Sequence, residues 1–526
     1  MKGRLGGIAC ILLFAAPALA QYEDSGPRGL YFPKKQYQPA PIPDFESSRE
    51  RLPEPILEDN KELLDLYWTA WRLAFKNFKK PVPGTTLVSN YLDAAFSANI
   101  FQWDTIFMML FARYAHPVFP AIESLDNFYT RQHANGYICR EIKGSDGSDF
   151  VWEGRENTVN PPLFSWAEME SYKVTGDKTR LARVMPALLK YAEWLETGRK
   201  KPGTKHGLYW QTGLGSGMDN SPRRGSGWVD MSAQMVVMYK SLADMADVLG
   251  QPEAAARHRA QAAAIAGKIN AFMWDEADGL YYDVDDEGHR VKAKTIASFW
   301  PMLAGICDQT QARRLLETLK DPKTFWRTIP FPTLAADQKD YKSDGYYWLG
   351  GVWAPTNMAV IKGLDAYGEE GPKARSYREF ATLASETYLD GMSRVFKKTG
   401  TLWENYSPDA YARGGLSKSR FVGWSGCGPI ALLIEDVLGL RPDAGHRRLT
   451  WVLSRIDRHG IKRLPLGDTT ATLVCDRRED VESPARITVD TDKPFELVVV
   501  HSGGKQSFAL PAGHSVIAAG PSPSSQ

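Results

Sequence analysis

Two carboxylates in loops rich in aromatic and amide side chains are the residues of this sequence best suited to chemistry. Asp219 stands in Gly217-Met218-Asp219-Asn220-Ser221-Pro222-Arg223, and Glu404 stands in Trp403-Glu404-Asn405-Tyr406-Ser407-Pro408. Cleavage of a glycosidic bond needs one carboxylic acid to protonate the leaving oxygen and one carboxylate to activate water or attack the sugar. An isolated Asp in such a loop is more often a turn or cap residue. The glycosidase hypothesis therefore depends on a fold that brings both loops together.

Composition and charge restrict the class of partner. The 526 residues include 16 Trp, 22 Tyr and 22 Phe, enough to build a large core and to line an aromatic cleft, as in a large soluble enzyme. A formal net charge of +2 without a Lys/Arg stripe gives no reason to expect nucleic acid or a membrane surface. No metal or cofactor motif is present. The cysteines beyond the N-terminus match no metal site and leave a disulfide open: Cys139, Cys307, Cys427 and Cys475.

The first 20 residues have the layout of a cleaved secretory signal. Lys2 and Arg4 precede an apolar run from Ile8 to Ala16 and the small-residue site Ala18-Leu19-Ala20. We expect export to the periplasm or the medium, with no membrane insertion after cleavage. A membrane anchor is the weaker alternative because the run is too short to span a bilayer. Residues 21–55 are proline-rich and predict an extended leader, on the surface or disordered.

The apolar spacing between Glu58 and Leu438 is helical and predicts about twelve helices. The predicted bounds are 58–78, 99–115, 117–133, 161–175, 179–198, 230–249, 252–274, 294–305, 309–320, 354–368, 372–393 and 424–438. Links after even-numbered helices are short, whereas those after odd-numbered helices are mostly long and rich in Gly and aromatic residues. Six helical hairpins closed into a ring over residues 56–440 would place all the long links at one end, where function concentrates.

Every chemically suggestive side chain falls in, or just past, one of the long links. In chain order these are Trp103 and Asp104 at the second helix, Asn160 at the fourth, Asp219 before the sixth, Trp348 and Trp353 before the tenth, and Glu404 before the twelfth. A closed ring would bring all of them to one mouth.

Residues 95–435 resemble, by motif, the inverting α-glycosidases of glycoside hydrolase family 63, including mannosylglycerate-hydrolase-like domains, and their trehalase relatives. The most specific parts are the segments 216–223 and 347–357, joined by Trp403-Glu404-Asn405-Tyr406 and Gly423-Trp424-Ser425-Gly426. The resemblance implies an all-α (α/α)6 toroid, with Asp219 as general acid and Glu404 as the general base that activates water. It also implies that Trp103 and Asp104 bind the terminal sugar and that Trp348 and Trp353 wall the pocket.

The chain departs from the family pattern at two places. Asn160 stands where relatives usually carry Gln, and its shorter amide puts the sugar identity in doubt. We also expect no counterpart of the large N-terminal β-domain of many family members, because only the proline-rich leader precedes the first predicted helix.

Several of these residues also have a structural interpretation. Sugars need carboxylate and amide acceptors beside flat aromatic walls, which suits Asp104, although Asp is equally a helix N-cap. Trp348 and Trp353 could be ordinary core. Arg223 could hold a substrate hydroxyl or pair with a carboxylate, and Tyr406 is a further substrate-binding candidate. We interpret His133 as structural and Asp230 as the cap of the sixth helix; Arg155 and Glu156 are weaker candidates.

Two further segments have mainly structural interpretations. Residues 441–519 alternate in the manner of strands and predict a β-sandwich against the toroid, a buttress or a carbohydrate-binding module, followed by a disordered tail at 520–526. The acidic cluster Asp275, Asp278, Asp283, Asp285 and Asp286 lacks the pattern of a calcium loop. A hairpin with Tyr281 and Tyr282 inward is the preferred interpretation.

The sequence thus predicts an exported, metal-independent, exo-acting and inverting α-glycosidase. It would remove a terminal hexose, with glucose preferred, from an oligosaccharide or glycoside. Trehalase, α-mannosidase and α-rhamnosidase activities on the same toroid remain alternatives, as does a non-catalytic carbohydrate-binding protein. The oligomeric state is open.

Overall fold

The computed structural model describes residues 26–150, 159–369 and 373–520. The region from Lys61 to Val437 is mainly helical, as the 3.6-residue apolar spacing predicted. The longer helices are Lys61–Lys76, Gln102–Ala112, Phe164–Thr175, Lys178–Gly198, Val229–Val248, Pro252–Phe272, Gln309–Lys320, Ala354–Gly368 and Ala374–Thr399. Short α-helices lie at Phe45–Ser48, Asp126–Tyr129, Gly213–Ser216 and Trp300–Leu303.

An inner ring of helical segments closes on itself. Each segment packs against the next in the order 102–112, 164–175, 229–248, 296–303, 354–368 and 424–437, and the last packs back against the first. A second layer surrounds this ring and includes Lys61–Lys76, Lys178–Gly198, Pro252–Phe272 and Ala374–Thr399. The architecture is the predicted (α/α)6 toroid.

Burial explains why the two layers sort as they do. All eleven residues of Gln102–Ala112 are buried, and Ala354–Gly368 is nearly as enclosed, which is typical of a helix that is apolar all round. Outer helices such as Lys61–Lys76 bury one face and expose charged side chains on the other. The sequence therefore specifies not only where helices form but which layer each one joins.

Three predicted helices take other forms in the structure. The span 117–133 contains the 3₁₀ segment Ala121–Leu125 and the four-residue helix Asp126–Tyr129, preceded by Pro117 and Pro120, which lack a backbone donor. The span 294–305 contains Ile296–Phe299 in 3₁₀ form before Trp300–Leu303. The span 424–438 contains the 3₁₀ turn Trp424–Cys427 and the π-helix Gly428–Val437.

The C-terminal region is β-structure in two sheets. A four-stranded sheet pairs Leu440–Asp443, Arg448–Val452, Phe495–His501 and Gly504–Leu510 in that order, with the middle pair parallel. A five-stranded antiparallel sheet contains Glu54–Leu57, His459–Leu466, Thr469–Cys475, Ala485–Thr491 and Gly513–Ala519. Alternate residues such as Leu473 and Val489 are fully buried, as the period-two pattern predicted.

The N-terminal segment is more ordered than a surface leader. Phe32, Phe45 and Leu52 are buried. Glu54–Leu57 forms an edge strand of the five-stranded sheet, so the segment ties the toroid to the β-region. Residues 33–44 contain no helix or strand and none of them is buried, as in an extended surface leader, whereas residues 45–57 form a short helix, a 3₁₀ turn and the edge strand. The predicted signal at 1–20 and the tail after Gly520 lie outside the described residues.

Other structural expectations can be compared directly. Trp274–Asp275 and Leu280–Tyr281 pair as a hairpin, and Tyr281 and Tyr282 are buried as predicted. The four described cysteines are free thiols, all buried. Within the described ranges, none of the helices is both long and apolar enough to cross a membrane.

Candidate active site

Most candidate residues lie on the long links after the odd-numbered helices. Asp219 and Glu404 are on such links, whereas Asp104 lies in the first turn of the helix Gln102–Ala112. Burial raises the pKa of the Tyr347 hydroxyl, and the charges of Asp219, Glu404 and, more weakly, Asp104 raise it further. The charge of Asp219 also acts on Glu404, and that of Glu404 on Asp104. Because such effects fall off with distance, the three groups lie near one another.

The Tyr347 ring also lies 5.2 Å from Trp353, and Trp353 lies 5.6 Å from Trp424, whose indole bonds to the Glu404 carbonyl. The space between the three carboxylates is the candidate pocket.

Asp219 stands at the exposed rim of this pocket on a loop held from both sides. Its Oδ2 accepts a 3.0 Å hydrogen bond from the Tyr347 hydroxyl. The next side chain, Asn220, accepts a 2.9 Å bond from the backbone N–H of Trp348. Gly217 has φ of +74°, and a Cβ there would lie 3.1 Å from the Trp103 ring, so only glycine allows the loop to lie on that indole.

Glu404 is 4% exposed and lies deeper than Asp219. Burial raises its pKa to about 7, while the Lys418 ammonium opposes that shift. The Lys418 backbone N–H donates a 3.2 Å bond to Oε2, which favours the ionised carboxylate. The backbone of Glu404 is fixed as well, since its N–H donates to the Lys418 carbonyl and its carbonyl accepts from the Trp424 indole.

Asp104 has the environment of a ligand contact, not of a helix cap. The N-cap of Gln102–Ala112 is Phe101, so the cap interpretation is wrong. Asp104 is 3% exposed, and its Oδ1 accepts no hydrogen bond from the described residues. Burial, and then the charge of Glu404, raise its pKa well above the usual range. An unpartnered buried acceptor oxygen near Glu404 is suited to a ligand hydroxyl.

Three tryptophans line or support the pocket. Trp348 stacks on Trp353 with ring centroids 4.0 Å apart and planes 5° apart. Trp353 is fully buried, and its indole N–H donates to the Tyr347 carbonyl, so it is core that backs Trp348. The indole nitrogens of Trp103 and Trp348 are buried without a partner among the described residues. These two donors remain available to a ligand.

Three predicted substrate contacts are occupied by the protein itself. The Arg223 guanidinium is 1% exposed and bonds to both Asp230 and Asp283. It also lies over the Trp228 ring. Arg223 therefore pairs with carboxylates of the protein, which was the alternative to a substrate contact. Asn160 accepts from the Trp103 backbone N–H and donates to the Gly215 carbonyl.

The hydroxyl of Tyr406, which is 1% exposed, accepts from the Trp403 backbone N–H. All three residues hold the loops that carry the site.

Asp230 is structural as expected, but as the partner of Arg223 in the first helical turn and not as the N-cap, which is Trp228. His133 is likewise structural, bonded to Asp149 at 2.6 Å. Arg155 and Glu156 lie outside the described residues.

Tyr347 and Lys418 were missed by the sequence argument. Tyr347 belongs to the 347–357 motif, but no feature of the sequence assigned it a role. Its φ of +53° is a left-handed backbone conformation, which apolar spacing does not predict. Lys418 is 14 residues from Glu404 in sequence and meets it only because the two segments form a hairpin. Neither contact had a local sequence signal.

A helical toroid with facing acidic loops at one mouth is the arrangement of a glycoside hydrolase. The model of the mannosylglycerate hydrolase MGH1-like glycoside hydrolase domain matches residues 97–425, and the chain belongs to this family. It is therefore a glycoside hydrolase, and the non-catalytic alternative is set aside.

Individual relatives are distant. An uncharacterised protein of Borreliella burgdorferi is 28% identical over 72% of this chain and 79% of its own length. A probable mannosyl-oligosaccharide glucosidase of Schizosaccharomyces pombe is 24% identical over 55% of this chain, which spans only 39% of that relative. The crystal structure of the family 63 mannosylglycerate hydrolase of Thermus thermophilus in complex with glucose superposes with a TM-score of 0.54, at 20% identity, over 70% of this chain and 99% of the other. The last comparison supports the toroid fold.

Proposed function

We propose that this glycoside hydrolase is an exported, exo-acting, inverting α-glycosidase that releases a terminal glucose from an oligosaccharide or glycoside. The observation that carries the proposal is that the contacts of Tyr347 join the loops of Asp219 and Glu404. The Tyr347 hydroxyl donates to Asp219 at 3.0 Å, and its ring centroid lies 5.2 Å from that of Trp353. Trp353 in turn lies 5.6 Å from Trp424, whose indole N–H donates to the Glu404 carbonyl.

The two carboxylates differ in depth, which supports separate roles. In an exo-acting pocket the terminal sugar enters first and the leaving group points to solvent. Asp219 is exposed and would protonate the departing oxygen. Burial raises the pKa of Glu404 to about 7, and the Lys418 N–H and ammonium oppose that shift, so near and above neutral pH the carboxylate form that a base needs would be populated.

The remaining pocket residues would hold the sugar. Asp104 would accept hydroxyl protons, and the indole N–H groups of Trp103 and Trp348 would donate to sugar oxygens. The Trp348 ring, backed by Trp353, would pack against a C–H face of the pyranose. Tyr347 would hold the carboxyl of Asp219 in position through its 3.0 Å hydrogen bond.

The choice of sugar rests on the relatives. The Schizosaccharomyces pombe relative is a probable glucosidase, and the Thermus thermophilus structure contains glucose. Mannose is the second candidate because the matching domain is named for mannosylglycerate hydrolase. Proton NMR of the purified protein with α-linked glucose disaccharides, α-mannobiose, trehalose and glycosyl-glycerates tests this. Early appearance of β-glucose from one α-glucoside is expected, whereas α-glucose first, or release of mannose alone, would contradict the proposal.

Export is the remaining part of the proposal and rests on the signal-like layout of residues 1–20. Expression of the full chain in a bacterial host followed by N-terminal sequencing tests it. We expect mature protein beginning at Gln21 outside the cytoplasm, and uncleaved protein retained inside the cell would contradict export.

A further inference from the structure

Two exposed apolar side chains, Tyr346 and Leu416, border the candidate active site. Tyr346 is 42% exposed and Leu416 is 60% exposed. Tyr346 directly precedes Tyr347, which bonds to Asp219. Leu416 comes two residues before Lys418, which bonds to Glu404. Each apolar residue therefore belongs to a segment that holds one of the two carboxylates.

Leu416 is displaced from its hairpin by a bulge opposite the proposed base. Segments 403–407 and 412–419 pair, and the Gly414 N–H donates to the Asn405 carbonyl. Glu404, the neighbouring position, pairs not with residue 415 but with Lys418. Residues 415–417 therefore bulge outward beside Glu404. Bulges of this kind redirect side chains next to active sites.

The bulge is held firmly and at a conformational cost. Ser417 Oγ accepts from the Asn405 N–H at 3.0 Å and donates to the Asn405 carbonyl at 2.9 Å. Leu416 has φ of +59°, a left-handed conformation that favours glycine over leucine. A strained leucine whose side chain faces solvent contributes little to packing. Strain of this type is concentrated at ligand sites.

Gly415 brings the two side chains onto one surface. A Cβ at this position would lie 3.0 Å from the Cα and 3.3 Å from the Cδ2 of Tyr346, so the bulge lies directly against that tyrosine. The Gly415 N–H also donates a 3.1 Å bond to the Asp344 carbonyl. Leu416 follows immediately in the chain. Tyr346 and Leu416 thus lie on either side of Gly415, and the Asp344 carboxylate lies beside them, 3.4 Å from the same Cβ position.

The cations of the same hairpin are stacked on aromatic rings. The Arg413 guanidinium lies 5.2 Å from the Trp403 ring centroid, and the Lys418 ammonium lies 4.5 Å from that of Phe96. These charges are held by ring faces, whereas Tyr346 and Leu416 present uncharged surface to solvent. The exposed Asp344 carboxylate beside Gly415 would repel an anion, so this part of the rim favours a neutral, weakly polar ring.

We propose that Tyr346 and Leu416 form an acceptor platform that receives the leaving part of the substrate, a second sugar ring packed through its C–H face. Pyranose C–H faces pack well against aromatic and aliphatic side chains. The inference rests on the proposed function, because it concerns the aglycone side of the same cleavage. It makes a disaccharide or oligosaccharide, and not a glycosyl-glycerate, the preferred substrate.

The experiment compares two substrates that share the glucosyl group. α-Glucosyl fluoride has no second ring, whereas an α-1,2-, α-1,3- or α-1,4-linked glucose disaccharide places one on the platform. Leu416→Gly suits the positive φ and should fold, and Tyr346→Ala removes the ring. For each variant we expect kcat/KM on the best disaccharide to fall about tenfold, with fluoride hydrolysis within about twofold of wild type.

The control is Leu383→Ser, which changes a comparably exposed leucine on the outer helix Ala374–Thr399 and should alter neither substrate. Equal losses on both substrates, or an unchanged disaccharide rate in both platform variants, would overturn the platform. A wild-type preference for glucosyl-glycerate that survives Leu416→Gly would also overturn it. Wild-type protein inert toward the fluoride and every disaccharide would overturn the proposed function, and the platform with it.

Discussion

The Tyr347 hydroxyl donates a hydrogen bond to Asp219 across 128 residues of sequence, and the same hydroxyl lies within the electrostatic reach of Glu404 and Asp104. One phenol therefore links the proposed acid to the other two carboxylates of the pocket.

Replacing Tyr347 by Phe removes this hydrogen bond and keeps the ring that packs on Trp353. We expect kcat on a disaccharide to fall about tenfold to a hundredfold, because the acid loses its orientation. Hydrolysis of α-glucosyl fluoride, which needs no proton donor, should fall much less. Equal losses on both substrates would show that Tyr347 binds the sugar instead of positioning Asp219.

The pKa of Glu404, about 7, sets the acidic limb of the pH profile if Glu404 is the base. A base acts only when ionised, so kcat/KM should decline as the pH falls through about 7. Because the Lys418 ammonium lowers this pKa, Lys418→Met should raise it and move the limb to higher pH. The backbone N–H that binds Oε2 is retained in this variant.

The control for this profile is Lys397→Met, a change at an exposed outer-helix residue that should leave the limb in place. A profile in which activity instead declines as the pH rises through this range would identify Glu404 as the proton donor.

Asp104→Asn should lower activity while raising stability. The carboxyl is buried, and its Oδ1 accepts no bond from the described residues, so removing its charge relieves a desolvation cost. We expect kcat/KM to fall by about a hundredfold or more, because a ligand contact is weakened at the reacting sugar, and the melting temperature to rise. Thermal unfolding and steady-state kinetics on the same preparation measure both. A less stable variant with wild-type kinetics would make Asp104 a structural residue.

Arg223→Met tests the structural assignment of that arginine. The change leaves Asp230 and Asp283 as uncompensated buried charges, and we expect unfolding to become easier by about 3–5 kcal/mol. The adjacent Arg224 is exposed, and Arg224→Met should change the free energy of unfolding by less than about 0.5 kcal/mol. Denaturant titration compares the pair. A stable Arg223→Met protein with a raised KM would return Arg223 to the substrate-binding set.

The apolar spacing was sufficient to predict the toroid, because it indicates both where a helix forms and whether that helix belongs to the inner or the outer layer. It was insufficient at 117–133 and 294–305, where proline interrupts the helix, and at Gly428–Val437, where the π-helical form has no sequence period of its own. The strand Glu54–Leu57 was missed because its partner, His459–Leu466, lies about four hundred residues away.

The candidate site was likewise predictable where the signal is local and not where it depends on contacts between distant segments. Chemistry-bearing loops were identified from residue type, and the contacts of Tyr347 with Asp219 and Trp353 bring two of these loops together. Residue type did not separate contacts with a ligand from contacts within the protein. Asn160 and Arg223 have suitable side chains, but neighbouring backbone or carboxylate groups occupy them.

The most direct test of the central claim is the hydrolysis of two substrates by Asp219→Asn and Glu404→Gln. Asp219→Asn should lose about a hundredfold to ten-thousandfold in kcat on the best α-glucose disaccharide and keep most of its rate on α-glucosyl fluoride, since fluoride leaves without protonation. Glu404→Gln should lose both activities, because water is no longer activated. Full disaccharide turnover by Asp219→Asn, or retention of fluoride hydrolysis by Glu404→Gln alone, would contradict the assignment.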